Sequence, residues 1–276
     1  YVSSFNKVVN FNLCIRPTNT SITTNTSTYT VQQLVSEILV SSECALVSNI
    51  TSSSQANFAG EPSIGYFDAN GATFPFSYGV VMSSGGISGV PANPYTGGST
   101  ADSGTWPGDD DLNDIIVQAD PNQINGTRNA TILEFDFVPL TNLFKFQFLF
   151  ASNEYGTFQC GFSDAFAFIL TDEDGNETNL AVIPGTSIPV SVTTIRELQY
   201  LPGGVCSSAN PAFFDQYNAE APLGAAINFI GQTIPMVASS PVVPNTTYHI
   251  KLVIADYSDT AFNSAVFLGG GTFDIG

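Results

Sequence analysis

The sequence predicts an all-β fold: an antiparallel β-sandwich, jelly-roll-like, with one short N-terminal helix. Two observations lead to this prediction. Many short segments alternate apolar and polar residues, and Gly, Pro and Asn turns separate them. The 22 Phe and 10 Tyr supply a core. We divide the chain into residues 1–28, an N-terminal strand and polar tract, and residues 29–276, the sandwich domain.

The N-terminal part has one alternating stretch, "VVNFNL" (Val8 to Leu13), followed by the polar tract "TNTSITTNTST" (Thr18 to Thr28). Two placements stay open for the first segment. It packs on its own sandwich, tied by Cys14, or it adds a strand to the exposed sheet edge of a neighbouring subunit. We favour packing on its own sandwich, because a Cys14–Cys44 bond would hold Leu13 close to the helix that follows.

The helix is predicted for "YTVQQLVSEILV", Tyr29 to Val40. Its apolar residues follow the i, i+3, i+4, i+7, i+8 spacing of one helix face: Val31, Leu34, Val35, Ile38 and Leu39. Thr30 followed three residues later by Gln33 is a capping box, in which each side chain bonds the backbone of the other residue.

The remaining chain is predicted to form strands, because its apolar residues recur with a two-residue period. "ILEFDFVP" places Leu133, Phe135 and Phe137 on the inner face, with Glu134 and Asp136 on the other. "FKFQFLFA" places four Phe residues on one face: Phe144, Phe146, Phe148 and Phe150. "DAFAFIL" and "TYHIKLVIAD" repeat the pattern, and the turn "DEDG" (Asp172 to Gly175) is predicted to join two strands as a hairpin.

The charge balance excludes several partners. The chain has 6 Lys plus Arg against 24 Asp plus Glu, a net charge of −18. So few cations cannot neutralise a nucleic-acid backbone, and an anionic membrane is disfavoured for the same reason. No run of 18 apolar residues occurs, so direct membrane insertion by a helix is not expected. Excess carboxylate suits Ca²⁺, which takes oxygen ligands.

The four Cys residues have long spacings and no C-x-x-C motif, and the chain has one His. A zinc site is therefore not expected. An even Cys number in such a chain is typical of a secreted protein with two disulfides. Four Cys allow three pairings, and chain order favours Cys14–Cys44 and Cys160–Cys206.

No catalytic set is found in the sequence. The lone His249 is expected to face solvent on its strand, and no G-x-S-x-G motif surrounds a serine. A glycosidase needs only two carboxylates, for which Glu134, Asp136 and Glu154 are candidates. Acids on an exposed strand face are more often simply solvated. We therefore expect no enzymatic activity.

Acidic residues at strand ends are the candidate Ca²⁺ ligands, because the loops of a sandwich converge there. One candidate set is Glu154, Asp164, Asp256 and Asp259. A second is Asp109, Asp110 and Asp111 in "GDDDLND", which we predict to be a Gly-bounded loop. Seven tripeptides match the N-glycosylation pattern, at Asn19, Asn25, Asn49, Asn125, Asn129, Asn176 and Asn245.

Several segments follow one another in a fixed order, among them "YTVQQLVSEILV", "GVVMSSGGI", "GDDDL", "FLFASNEY", "FSDAFAFIL" and "SAVFLGGGTF". Together they resemble the choice-of-anchor L domain, found in exported surface proteins of Bacteroidetes. The resemblance runs from about Thr30 to Phe273 and implies an extracellular, cell-surface module with type IX secretion. The chain departs from the family pattern at Asn153, Ser163 and Asn263, which keep oxygen ligands but lower the charge of a metal site.

These observations lead to a surface adhesive or structural module, a candidate subunit of a surface fibre, with calcium-stabilised loops. Its partners would be other surface proteins or further copies of itself, joined by strand addition. The alternative is a carbohydrate-binding module or a glycan-active enzyme of lectin-like shape. That alternative needs exposed aromatic rings, and Trp106 in "SGTWPGDDDL" is the best candidate.

Overall fold

A computed structural model describes residues 21–40, 46–91, 95–96, 105–162, 164–200, 204 and 206–276. Across these ranges the strands form two antiparallel sheets, and a large core cluster draws side chains from both. The predicted all-β sandwich is confirmed. The predicted strand from Val8 to Leu13 and the predicted Cys14–Cys44 bond lie outside the described residues.

In chain order the strands are β1 (Thr23–Asn25), β2 (Leu46–Ser53), β3 (Ile64–Asp68), β4 (Tyr78–Ser83), β5 (Thr127–Val138), β6 (Leu143–Ser152), β7 (Ala165–Thr171), β8 (Glu177–Asn179), β9 (Phe214–Tyr217), β10 (Gly231–Thr233), β11 (Met236–Pro241), β12 (Tyr248–Tyr257) and β13 (Ser264–Gly269). The helices are α1 (Val31–Gln33), which continues as a π-helical segment (Leu34–Leu39), and α2 (Asp110–Ala119). Short 3₁₀ turns lie at Gln55–Phe58, Ile87–Gly89, Leu198–Tyr200, Pro211–Phe213 and Pro222–Gly224.

Sheet A has eight strands in the order β1-β3-β4-β13-β6-β10-β9, and β11 also pairs with β6. Sheet C has five, in the order β2-β5-β12-β7-β8. The long strand β6 therefore has β13 on one side and both β10 and β11, one after the other, on its opposite side. This arrangement leaves β9 next to β10, so β11 has only β6 as a strand partner within the described chain.

The core between the sheets is built from the alternating Phe residues that the sequence predicts. Phe146 and Phe148 of β6 contact Phe168 of β7, with ring centroids 4.8 and 5.1 Å apart. These contacts cross from sheet A to sheet C, because β6 and β7 belong to different sheets. The aromatic rings are fully buried and meet edge to face, a favoured geometry for such pairs.

The outer faces of both sheets are also partly covered. A second apolar cluster on sheet A contains Leu149, Phe267 and Phe67. A third lies beneath α2, where Leu112 and Ile116 pack over small residues of sheet C. This second layer explains why Leu149 is buried although it shares a strand face with the exposed Lys145 and Gln147.

The N-terminal helix forms with the expected cap. The Thr30 side chain accepts a hydrogen bond from Gln33 N, and the Gln33 side chain bonds the Thr30 backbone. The predicted apolar face is buried at four positions, Leu34, Val35, Ile38 and Leu39. Val31 is partly buried and packs against the same core. Most of the helix has π-type hydrogen bonding, for which the sequence pattern gave no indication.

A second helix, α2, was missed by the sequence analysis, which placed "GDDDLND" in a loop. Asp109 is its N-cap and accepts a hydrogen bond from Leu112 N at 2.9 Å. Asp110 and Asp111 follow in the first turn, where negative charge is favoured by the helix dipole. Aspartates next to Gly108 fit a turn equally well, and only the packing of Leu112 and Ile116 on sheet C decides for a helix.

The polar tract contributes an edge strand. Thr23 to Asn25 form β1, which pairs with Asp68 to Tyr66 of β3. Ile22, the one apolar residue of the tract, is buried. The predicted hairpin is also present, since β7 and β8 pair across the turn and Asp172 Oδ1 accepts from Asn176 N at 2.9 Å.

Candidate functional site

Three buried carboxyl groups lie at one end of the sandwich, and we name them the carboxylate pocket. Glu154 follows β6, Asp164 precedes β7, and Asp256 lies near the end of β12. The residues are 1%, 1% and 0% exposed. Acidic residues are almost never fully buried unless they are paired, so this pocket is the most unusual feature of the described chain.

Strand register brings these three residues to the same place. In sheet A, Ser152 at the end of β6 lies opposite Ser264 at the start of β13. In sheet C, Ala165 at the start of β7 lies opposite Ala255 of β12. Each acid is one or two positions from one of these paired residues, so the pocket lies where the ends of both sheets meet.

Asp164 is held by hydrogen bonds to both of its oxygens. Its Oδ1 accepts from Tyr257 N at 2.9 Å, and its Oδ2 accepts from Ser264 Oγ at 2.8 Å. Ser264 Oγ also lies 2.8 Å from Ser152 Oγ. Residues of β6, β12 and β13 are thus linked through a single carboxyl group.

Asp256 and Glu154 are less completely bonded. Asp256 Oδ2 accepts from Asn129 Nδ2 at 3.2 Å, whereas its Oδ1 is buried without a hydrogen-bond partner. Glu154 Oε2 is likewise buried and without a partner, although Glu154 N donates to Ser152 Oγ at 2.9 Å. A buried oxygen left unbonded costs about 1–3 kcal/mol.

Burial and mutual repulsion raise the pKa of each acid. Burial, followed by the charge of Asp164, raises the pKa of Glu154 to about 9. Burial also raises the pKa of Asp164 to about 7, against the hydrogen bonds from Tyr257 and Ser264. The pKa of Asp256 rises well above its usual range through burial and then through Asp164, against the polar side chains of Ser84 and Asn129 beside it, although Ser84 makes no hydrogen bond of standard geometry with Asp256 Oδ1.

Asp259 differs from the other three acids of its predicted set because it is exposed. Its Oδ1 accepts from Ala261 N at 2.9 Å within a turn. Its charge still contributes to the raised pKa values of Glu154 and Asp164. The structure therefore brings all four predicted residues into one region, with Asp259 on the solvent side.

The described chain offers no three Asp, Glu, His or Cys side chains arranged to hold a metal ion by themselves. Any cation in the pocket would therefore need neutral oxygen ligands in addition to carboxylates. Hydroxyl oxygens of Ser152 and Ser264 lie beside the acids.

The sequence analysis missed Ser152, Ser264 and Asn129 as parts of this site. A detectable signal exists for the two serines, because each stands where a run of apolar strand residues begins or ends, in "FLFAS" and "NSAVFL". Asn129 was noted only as a glycosylation match. It is 2% exposed and its Nδ2 bonds Asp256, so the folded chain does not offer it to a glycan-transferring enzyme.

A disulfide joins Cys160 to Cys206, with Cα atoms 5.6 Å apart. Cys160 lies in the loop between β6 and β7 that carries Glu154 and leads into Asp164. The bond therefore ties this loop to the long connection between β8 and β9. This part of the predicted disulfide pattern is confirmed.

The second predicted acidic set contacts Lys251 of β12. Lys251 Nζ lies 2.5 Å from Asp109 Oδ2 and 2.7 Å from Asp111 Oδ2, whereas Asp110 is exposed. Burial lowers the pKa of Lys251, but the two aspartates outweigh that effect and raise it. Asp109 and Asp111 thus have a cation from the chain itself, and a second Ca²⁺ site there stays a prediction.

Replacing Asp109 tests the double role of this residue. Asp109→Ala removes both the helix cap and one partner of Lys251, so we expect the free energy of unfolding to fall by about 2 kcal/mol. Asp109→Asn keeps a good cap and should lose roughly half as much. Urea unfolding measures both, with Asp114→Asn on the exposed face of α2 as the control. Equal losses for Ala and Asn would show that the cap contributes nothing.

Trp106 is buried, whereas the sequence analysis considered it as an exposed ring for carbohydrate binding. It is 3% exposed, and its Nε1 donates to Ala130 O at 2.8 Å. The ring is therefore part of the protein interior and is not an exposed stacking surface. The cause is the antiparallel bridge of the neighbouring Pro107 to Arg128, which draws this segment against β5.

The acids considered for glycosidase chemistry lie in two different environments. Asp136 accepts from Asn49 Nδ2 at 2.6 Å and lies 2.8 Å from His249 Nδ1 on the outer face of sheet C. Glu134 lies on the same outer face and Glu154 in the buried pocket. The expected solvent-facing position of His249 is confirmed, since its side chain is 42% exposed.

Comparison with known proteins identifies one family. The family model described as the choice-of-anchor L domain matches residues 22–274, nearly the whole chain. No curated protein and no solved structure matches. Within the residues that the structure describes, no helix has the length and apolar character needed to cross a membrane.

Proposed function

The chain belongs to the choice-of-anchor L domain family, and from this premise we propose that it is an extracellular adhesive or structural module that assembles into a surface fibre and has calcium-stabilised loops. Membership makes it a surface-associated protein, and the family is not an enzyme family. The observation that supports assembly is the open edge of β11.

Strand β11 pairs with β6 on one side, and the described residues provide no strand on its other side. Proteins usually protect such an edge with charged residues, bulges or a covering segment. The sequence of β11, "MVASSP", has no charge, its pairing with β6 is regular, and its one proline, which would protect an edge, stands at the last position, Pro241. Val237 on this strand is 51% exposed. The edge therefore has the properties of an acceptor for another strand.

A groove of about 740 Å³ borders this edge. It is lined by Val237 and Ser239 of β11, by Glu177 of the edge strand β8, by Ile115 of α2 and by Val182. An extended segment placed here could hydrogen-bond along β11 and bury alternate apolar side chains in the groove.

The Cys14–Cys44 argument favoured packing of the N-terminal segment on its own sandwich, but the open edge of β11 leads us to propose the N-terminal segment of a neighbouring copy as the occupant. Its stretch from Val8 to Leu13 alternates apolar and polar residues, as a strand beside an apolar groove requires. The same segment from its own chain is the competing occupant. Assembly distinguishes the two, because only exchange between copies produces a fibre.

The test is a charged substitution of the edge. Val237→Lys combined with Ser239→Lys should abolish fibres seen by electron microscopy and leave a folded monomer with an unchanged circular dichroism spectrum. Deleting residues 1–12 should have the same result. The control is Val243→Lys combined with Thr247→Lys, which adds the same charge at exposed positions outside β11.

Three results would contradict the proposed assembly. A native chain that stays monomeric at high concentration contradicts the fibre. An edge variant that still assembles contradicts β11 as the acceptor. A chain lacking residues 1–12 that fails to fold shows that the segment belongs to its own sandwich.

A further inference from the structure

We propose that a Ca²⁺ ion binds in the carboxylate pocket, held by Glu154 Oε2 and Asp256 Oδ1 together with neutral oxygen ligands. This inference rests on the calcium-stabilised loops of the proposed function and is independent of assembly through β11. The ion would join the loop after β6, in sheet A, to the end of β12, in sheet C.

The two unbonded oxygens are the first support. Glu154 Oε2 and Asp256 Oδ1 are both buried and have no hydrogen-bond partner. The oxygens of Asp164 and the second oxygen of Asp256, in contrast, accept hydrogen bonds from Tyr257, Ser264 and Asn129. Protein donors therefore hold Asp164 and one oxygen of Asp256, whereas Glu154 Oε2 and Asp256 Oδ1 are left without a hydrogen bond. A cation between these oxygens would satisfy both.

The second support is that no basic side chain of the described ranges pairs with these acids. The described basic residues all have other partners: Lys145 pairs with Asp274, Lys251 with Asp109 and Asp111, Arg128 with the Ser258 carbonyl, and Arg196 with the Ser207 and Thr193 carbonyls. Buried acids in proteins are paired with cations or coordinate metals. Within the described ranges no ammonium or guanidinium group is left over for these acids, and a cation from solution would supply the missing positive charge.

The donor types point to Ca²⁺. The pocket offers only oxygen atoms, from carboxylates and from the hydroxyls of Ser152 and Ser264. His249 is bonded to Asp136, and Cys160 and Cys206 form a disulfide, so none of the His and Cys side chains that the structure describes supplies the nitrogen or sulfur ligand that zinc prefers. Ca²⁺ accepts six to eight oxygens in irregular geometry, whereas Mg²⁺ requires near-octahedral geometry.

Two carboxylates suffice if neutral oxygens complete the coordination shell. No three acidic side chains in the described ranges form a metal site alone, but Ca²⁺ sites commonly include backbone carbonyls, amide oxygens and waters. The exposed Asp259 lies on the solvent side of the pocket. Its charge would add to the attraction of a cation to this end of the sandwich.

The experiment measures melting temperature and calcium binding on the full chain. With 1 mM CaCl₂ in place of EDTA, the melting temperature should rise by roughly 5 °C if the concentration is about 100 times Kd. Glu154→Gln and Asp256→Asn should each abolish the rise, while Asp114→Asn, an exposed acid of α2, should keep it. MgCl₂ should give a smaller rise. Calorimetric titration of the unaltered chain should give one site.

Other outcomes overturn the proposal. No temperature shift and no heat with millimolar CaCl₂ would mean that the acids retain protons in place of an ion. A shift that persists in both variants would place the ion elsewhere, and an equal shift with MgCl₂ would indicate non-specific screening of an acidic surface. A chain that binds Ca²⁺ but forms no fibre would contradict only the assembly.

Discussion

Raising the pH of the protein from about 5 to 9 in EDTA is expected to lower its free energy of unfolding by on the order of 5 kcal/mol. The cause is the carboxylate pocket, in which burial favours the neutral acids. The pKa of Glu154 is raised from 4.5 to about 9, and that of Asp164 from 3.8 to about 7. The pKa of Asp256 is raised as well.

The decrease in stability with rising pH follows from proton binding. Between the unfolded and folded pKa values the folded chain binds more protons than the unfolded chain, so stability decreases as the pH rises. The contribution is complete below about pH 4 and is lost as the pH passes through the folded values. Acids with lowered pKa values, such as Asp136 and Asp172, change stability in the opposite direction at lower pH, outside this window.

Urea unfolding at pH 5, 7 and 9 measures this dependence. The matched variant is Glu154→Gln, which removes the acid whose pKa is raised to about 9. In this variant the free energy of unfolding should depend less on pH. Stability that is constant or increases from pH 5 to 9 in the unaltered chain would show that the pocket acids are ionised without cost. CaCl₂ should reduce the decline, because a bound cation stabilises the ionised acids.

Removing the Cys160–Cys206 disulfide is expected to lower the free energy of unfolding by about 4 kcal/mol on the loop-entropy model. The two residues are 46 positions apart in the chain, and a closed loop of this length strongly restricts the unfolded ensemble. The native loop should also become less ordered, since the bond anchors the segment between Glu154 and Asp164. We therefore expect weaker Ca²⁺ binding in addition to lower stability.

The double variant Cys160→Ser with Cys206→Ser isolates this bond, because a reducing agent would also act on Cys14 and Cys44. Urea unfolding gives the stability and calorimetric titration gives the calcium affinity. An unchanged free energy of unfolding in the double variant would mean that packing alone fixes this loop and that the disulfide adds no stability. Unchanged calcium affinity would contradict the link between the bond and the pocket.

The local pattern of the sequence determined the sandwich and its inner faces. Alternation along β5, β6 and β12 correctly identified the buried sides, with Phe135, Phe148 and Ile250 inward. The capping box at Thr30 and the turn at Asp172 were also readable, because each depends on residues only three or four positions apart. The Cys160–Cys206 bond followed from chain order.

Tertiary structure decided the rest, because those features depend on contacts between distant residues. Asp109 became a helix cap and Trp106 became buried through packing against sheet C and β5. The sequence named Glu154, Asp164 and Asp256 as acids at strand ends, but only the pairing of β6 with β13 and of β7 with β12 places them together. Alternation fixes which side of a strand is buried, whereas the stacking of two sheets fixes which strand ends meet.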